Sequence, residues 1–254
     1  MRASWTELPE PALAAFSPEQ LAFARDAWPM RAAEELRSAL IYRALAASSR
    51  GVLPEPWPAR FAATAREEIG HARLCAEVGA RLGASAPRYD GTPVRTRLAA
   101  LPDPVARTAA LVLAEIAIGE TISMALFRAG RRTTREPLVR TALEAICADE
   151  VRHQRLGWDA LAALVPRLPP WHREQLATQA AHAFAASEAQ IAAPVLRRLA
   201  AGERFDPAWG ELGVLPFETR VDAYYFAVER FAIPRLEKLG IAAERAWRER
   251  YSRS

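Results

Sequence analysis

The sequence predicts an all-α protein, built as an up-down-down-up four-helix bundle with additional helices at its C-terminus. Three observations carry this. The chain is rich in Ala, Leu, Arg and Glu, all good helix formers. Apolar residues recur at three- and four-residue steps almost throughout, and no run alternates apolar and polar residues in the manner of a strand. Helix start and stop signals divide the chain into six long segments.

The segments follow in order. Ser17-Pro18-Glu19-Gln20 offers an N-cap serine, a first-turn proline and a glutamine at the capping-box position. A helix is predicted from there to Ser48, bent at Trp28-Pro29, where proline removes a backbone donor. The Pro-rich stretch from Gly51 to Pro58 connects it to a second helix, Pro58 to Gly83. Residues 84–101 hold Pro87, Asp90-Gly91 and Pro93 and read as irregular. Asp103-Pro104 caps a third helix ending at Gly130. Thr133-Thr134-Arg135-Glu136 reads as a capping box opening a fourth, which ends before Pro166. Pro169-Pro170 starts a fifth, kinked or ended at Pro194, and a sixth runs from Pro216 to Arg250 with a kink at Pro234.

Connection lengths set the topology. Short links after the first and third helices make antiparallel neighbours. A helix from Pro58 to Gly83 is about 39 Å long at roughly 1.5 Å per residue. The long stretch 84–101 reaches back along that length, so the third helix starts at the same end as the second. The expected organisation is one domain over 1–254, with a bundle core at 17–165 and a C-terminal extension at 166–254.

Composition narrows the function. The chain of 254 residues is 51% hydrophobic, too apolar for a disordered segment. It holds no unbroken apolar run of membrane-spanning length. Glu7, Glu10, Glu19 and Asp26 lie where a signal peptide would be uncharged, so a cytoplasmic location and no membrane partner are expected. The net charge is +4, but Lys238 is the only lysine and asparagine is missing, a codon-usage bias rather than selection for phosphate contacts. The arginines are interleaved with acids, so nucleic acid is not the expected partner. Cys75 and Cys147 sit in apolar periodic stretches and form neither a disulfide framework nor a CxxC pair.

An internal repeat marks the site. Glu35, Ser38, Tyr42, Arg43 and Ala44 match Glu120, Ser123, Phe127, Arg128 and Ala129 at an offset of 85. Glu67-Glu68-Ile69-Gly70-His71 matches Asp149-Glu150-Val151-Arg152-His153 at an offset of 82, followed by matching Arg73/Arg155 and Leu74/Leu156. Each half thus holds a lone Glu on one helix and Glu-x-x-His on the next. Residues three apart share a helical face, and that face is otherwise apolar, so four carboxylates and two imidazoles point into the core. Unpaired buried carboxylates cost several kcal/mol each even after relaxation. Either they are protonated or cations compensate them. Two divalent ions bring the charge that balances four carboxylates. The mixed oxygen and nitrogen donors suit iron or manganese, and the lack of suitably placed thiolates argues against structural zinc.

Over residues 32–164 the chain resembles the ferritin-like di-iron carboxylate superfamily, whose members include ferritins, rubrerythrins, ribonucleotide reductase small subunits, multicomponent monooxygenases and arylamine N-oxygenases. The resemblance implies six metal ligands, Glu35, Glu68, His71, Glu120, Glu150 and His153, holding two Fe ions, with Fe/Mn or Mn/Mn pairs as variants. Glu68 and Glu150 would bridge the metals, and Glu67 and Asp149 would accept the outer N–H of the ligand histidines. It also implies dioxygen activation, making the protein a di-iron oxidase or oxygenase acting on a small organic substrate. A separate electron-donor protein follows, because no flavin or nicotinamide fingerprint is present. The departures matter. Ferritins are shorter and lack the second Glu-x-x-His. Rubrerythrins add paired CxxC motifs, absent here. Ribonucleotide reductase subunits are longer and place a tyrosine where this chain has Cys75. No single member is matched.

Other readings share these signals: iron or manganese storage without catalysis, a tRNA-modifying di-iron hydroxylase, or a scaffold whose acids pair with Arg73 and Arg155. Around the proposed ligands, Glu34 and Glu115 read as solvated or paired, with Glu115 as a candidate extra ligand. Cys75 and Cys147 read as small buried hydrophobes, and Tyr42 as a core tyrosine with its hydroxyl bonded, or else a donor beside the metals. Gly157 reads as leaving a void where its repeat partner has Cys75. His172 reads as exposed, His182 and Glu188 as structural, and the amphipathic C-terminal helix as covering the bundle or forming a homodimer interface.

Overall fold

The computed structural model describes residues 8–252, and among these the protein is entirely helical with no strand. After a short 3-10 turn at Leu13–Ala15 come α1 (Pro18–Ser48), α2 (Trp57–Arg81), α3 (Thr92–Ala99) and α4 (Pro104–Leu111). A π-helical segment, Val112–Gly119, joins α4 to α5 (Glu120–Thr133). Then come α6 (Pro137–Leu164), α7 (Pro170–Ile191), α8 (Ala193–Ala200), α9 (Pro207–Glu211) and α10 (Phe217–Ala227). A second π segment, Val228–Ala232, leads into α11 (Ile233–Lys238), and α12 (Ala243–Arg248) closes the fold.

The capping signals act where the sequence places them for α1. Ser17 Oγ accepts from the Gln20 amide at 3.3 Å, and Gln20 Oε1 accepts from the Ser17 amide at 2.9 Å. The helix runs on through Pro29. Trp28 holds this region by donating its indole N–H to the Leu212 carbonyl at 3.0 Å. α2 packs along α1, closely at Gly79, where a Cβ would stand 3.4 Å from Trp28 Cβ. At the end of α2, Gly83 adopts φ +86°, and the Ala84 amide bonds back to the Gly79 carbonyl at 2.8 Å. This is the left-handed helix stop that glycine permits.

Four boundaries differ from expectation. The stretch 84–101 is not wholly irregular, because Pro93 sits in the first turn of α3, where its missing N–H costs nothing. The third helix passes Gly130 and ends at Thr133. Gly130 is buried against α6, and the Thr133 hydroxyl donates to its carbonyl at 3.0 Å. Thr133 is therefore not a capping-box residue; Glu136 caps α6 instead, accepting from the Val139 amide at 2.8 Å. The predicted helix from Pro216 to Arg250 is broken. Gly240 at φ +77° lets the Ile241 amide bond back to the Leu236 carbonyl at 3.0 Å, ending α11 before α12 turns away.

The chain from Pro104 to Thr133 is long and apolar enough to cross a membrane by length and composition, with a mean hydropathy of 1.8 in its most apolar window. More than half of that window, 56%, is buried inside the structure. Leu111, Val112, Leu113, Ile116, Ile118 and Ile122 are all buried there, packed against α6 and α7, so its apolarity has a partner within the fold. The C-terminal elements pack on α5 and α7, with Trp247 edge-on to Phe184 at 5.4 Å. Glu188 on α7 ties them down, accepting from the hydroxyls of Tyr225 (2.6 Å) and Tyr251 (3.0 Å) and from Arg250.

Candidate metal centre

α2 and α6 each present one Glu-x-x-His to the other. Glu68, His71, Glu150 and His153 are all buried, and one donor atom from each lies within 4.8 Å of the rest. This group could hold a metal ion. His153 Nδ1 is 2.8 Å from Glu68 Oε1 and 3.5 Å from Glu150 Oε1. His71 Nδ1 is 3.2 Å from Glu150 Oε1 and 3.7 Å from Glu68 Oε2. Each carboxylate thus faces both imidazoles.

The outer ring nitrogens are held crosswise. His71 Nε2 lies 3.3 Å from Asp149 Oδ2 on α6, and His153 Nε2 lies 2.9 Å from Glu67 Oε2 on α2. An acid at Nε2 favours the tautomer with the proton there, leaving an Nδ1 lone pair aimed inward. Nδ1 of both histidines, Glu68 Oε1 and Glu150 Oε2 are buried and make no aligned hydrogen bond. Buried polar atoms are rarely left so, and four inward donors without partners fit a bound cation. Their nitrogen and oxygen chemistry fits iron or manganese.

Glu35 and Glu120 flank the cluster, and both are buried. Glu35 Oε2 lies 3.7 Å from His71 Nδ1. Glu120 Oε1 accepts from the Tyr42 hydroxyl at 2.9 Å, so Tyr42 is at once a core residue and a donor at the edge of the cluster. All six residues singled out by the repeat therefore converge.

The buried groups shift one another's proton affinity. Burial raises the pKa of Glu35 and of Glu120, and the charges of Glu68 and Glu150 push both further. For Glu68 and Glu150 burial acts the same way, but the two histidines outweigh it and lower both. Burial opposes charge on His71 and His153, yet the surrounding carboxylates raise both. A divalent ion bound among these groups would compete with their protons.

The pairing of the cluster acids with Arg73 and Arg155 does not occur: Arg73 is exposed, and Arg155 faces Asp159 at 3.5 Å. Glu115 is ion-paired to Arg37 at 2.8 Å and also to Arg97, so both its oxygens are engaged. Cys75 is buried and Cys147 half-buried, and both are free thiols. His172 is buried rather than exposed, its ring tilted against Trp171 at 3.7 Å between centroids at the start of α7. His182 is exposed. Gly157 leaves no void: a Cβ there would stand 2.6 Å from the Ile116 carbonyl oxygen. The π segment of the preceding helix fills the space that the repeat partner gives to a thiol.

The repeat also hid a residue. Arg152 Nη2 donates to Asp149 at 2.6 Å and to Glu67 at 3.2 Å, joining the two acids behind the histidines. The repeat partner of Arg152 is Gly70, so only one half supplies this cation. That mismatch inside an otherwise matched motif was the available signal.

A cavity of about 130 Å³ adjoins the cluster. Glu35, Glu68, Glu120 and Glu150 line it together with Glu34, Glu115, Arg31, Arg37 and Phe127. No protein-family model matches the chain, and no curated protein or solved structure matches it significantly.

Proposed function

We propose that this protein is a ferritin-like di-iron oxidoreductase that uses dioxygen to oxidise a small organic substrate. The observation that carries the reading is the pair of imidazole Nδ1 atoms turned inward on Glu68 and Glu150, each fixed from behind by an acid of the opposite helix. Glu35, Glu68, His71, Glu120, Glu150 and His153 would hold the metal pair. A ferrous pair there would supply the electrons for reaction with dioxygen.

The chain's own residues do the rest. Asp149 and Glu67 keep the protons at Nε2 and fix the ring planes. Arg152 holds those two acids in place. Tyr42 donates to Glu120 and orients it; burial, reinforced by the charge of Glu120, raises the phenol's pKa and keeps it a proton donor. The cavity against the four glutamates receives the substrate, and electrons arrive from a separate donor protein.

Metal analysis of anaerobically purified chain, loaded with ferrous iron, tests this. Two irons per chain, a new near-ultraviolet band on exposure to air and dioxygen consumption that continues with a chemical reductant are the expected results. Large iron loads in an assembled shell would mean storage, and a chain that binds no iron would end the proposal.

A further inference from the structure

We infer that the groove between α1 and α2, lined by Arg43, Arg50 and Arg66, is a docking site for an acidic amphipathic helix of a partner protein. The docking site rests on the lining of the groove; that the partner is the electron donor rests on the proposed function.

α1 gives the groove Arg43, Ala46, Ala47 and Arg50, and α2 gives it Ala62, Ala65, Arg66 and Ile69. Each set follows helical spacing, so each helix turns one continuous stripe toward the groove. Ala46 and Ala65 are buried, and Ala47 is exposed. These short side chains leave a channel of about 410 Å³ between the two helices. Where the contacting side chains are small, a third helix can pack closely. The same two helices carry the carboxylate cluster on another face. Arg43 follows Tyr42, which donates to Glu120, and Arg66 stands two positions before Glu68.

The charge of the groove is one-sided. Arg43, Arg50 and Arg66 are exposed, and no acid lines the groove with them. None of the three side chains makes a hydrogen bond or ion pair among the described residues. Most of the surface is different: Arg37, Arg81, Arg152 and Arg198 each face a glutamate or aspartate. The acid beside Arg66 in the chain, Glu67, is already engaged with Arg152 and His153. Three unbalanced guanidiniums around one groove attract a surface of the opposite sign.

The lining selects the occupant. Arg43 and Arg50 stand two turns apart, about 10.5 Å along the axis, a spacing that carboxylates seven residues apart on a partner helix repeat. An arginine fork matches a carboxylate. The alanines and Ile69 then receive the apolar stripe of the same helix, as in other helix-in-groove complexes. No aromatic side chain lines the groove for nucleic-acid bases to stack on. It also lacks the large apolar side chains that an interfacial helix buries in a membrane.

Fluorescence anisotropy of the full chain with a labelled helical peptide of about 20 residues, an Ala/Leu stripe flanked by glutamates, provides the test. It should bind saturably and at least about tenfold more tightly than its Glu→Gln counterpart. The triple variant Arg43→Gln, Arg50→Gln, Arg66→Gln should weaken it by about tenfold or more. A triple of exposed arginines elsewhere, Arg88→Gln, Arg132→Gln, Arg204→Gln, changes the net charge equally and should alter affinity by less than about twofold. Ala47→Trp fills the groove from an exposed position and should weaken the peptide by about tenfold or more. Equal binding of the two peptides, no binding of either, equal loss in the two triple variants, or tighter binding of oligouridylate or of phosphatidylglycerol vesicles would each overturn the site. So would unchanged affinity in Ala47→Trp, which decides the matter should the groove triple variant fail to fold. Iron titration of the same samples separates the two proposals: peptide binding without iron uptake removes the oxidase reading and leaves the docking site, and iron uptake without peptide binding does the reverse.

Discussion

His153 Nε2 lies 2.9 Å from Oε2 of Glu67, so the acid that precedes one buried glutamate steers the histidine of the other motif. His71 and Asp149 repeat the relationship at 3.3 Å. Glu67→Gln and Asp149→Asn should each lower iron affinity by about 10–100-fold, the usual cost of losing the acid behind a ligand histidine. Arg152→Ala should have a smaller effect in the same direction, because it loosens both acids and removes neither. Competitive titration against a chelator measures this. Wild-type affinity in both acid variants would show that the crosswise bonds are not steering ligands.

Metal uptake should release protons. Ligation needs neutral imidazoles and ionised carboxylates, while burial and neighbouring charge raise the pKa values of Glu35 and Glu120, and the surrounding carboxylates raise those of His71 and His153, so that protons compete with the ion. Iron affinity should therefore rise with pH and fall as pH drops, with up to about four protons released when the site fills. Titration in buffers of different ionisation enthalpy counts them. Uptake with no proton release would mean that the ion binds elsewhere.

Glycine substitutions should separate packing from propensity. Gly157→Ala places a methyl against the backbone of Ile116 and should destabilise the fold by about 1–3 kcal/mol. Gly130→Ala, also within a helix, meets its nearest neighbour at 3.7 Å and should be neutral or stabilising by up to about 1 kcal/mol. Thermal melts of the two variants should shift in opposite directions or differ clearly in size. A stabilised Gly157→Ala would mean that α6 and the π segment stand further apart.

The C-terminal anchor should respond to acid. Burial raises the Glu188 pKa, but Arg250, Tyr225 and Tyr251 outweigh it and hold it below the usual carboxylate range. A depressed folded-state pKa contributes stability above the unfolded value, near 4.3 for a glutamate, and that contribution fades as pH falls through the folded value. Amide exchange in α12 should accelerate as pH drops below about 4, after correction for intrinsic rates. Glu188→Gln should exchange faster at neutral pH and lose this pH dependence. Identical protection in both proteins would remove Glu188 from the anchor.

Much of the molecule is legible in its sequence because it is encoded locally and twice. The capping box at Ser17, the break at Pro194 and the offset repeats give the helices and the six buried side chains, since residues three apart on a helix share a face whatever packs against them. Boundaries failed where a neighbour decided them. Gly130 does not end a helix because α6 packs there, and Gly240 ends one that an amphipathic pattern carries onward.

The sequence by itself determined that the chain is helical and that two Glu-x-x-His motifs share a buried face. Only the tertiary structure decided which acid stands behind which histidine, that Arg152 joins both, and that the Ile116 backbone occupies the space at Gly157. Helical periodicity fixes the side of a helix on which a residue lies. It carries no information about the helix that will face it, because that partner is chosen by the collective burial of apolar surface.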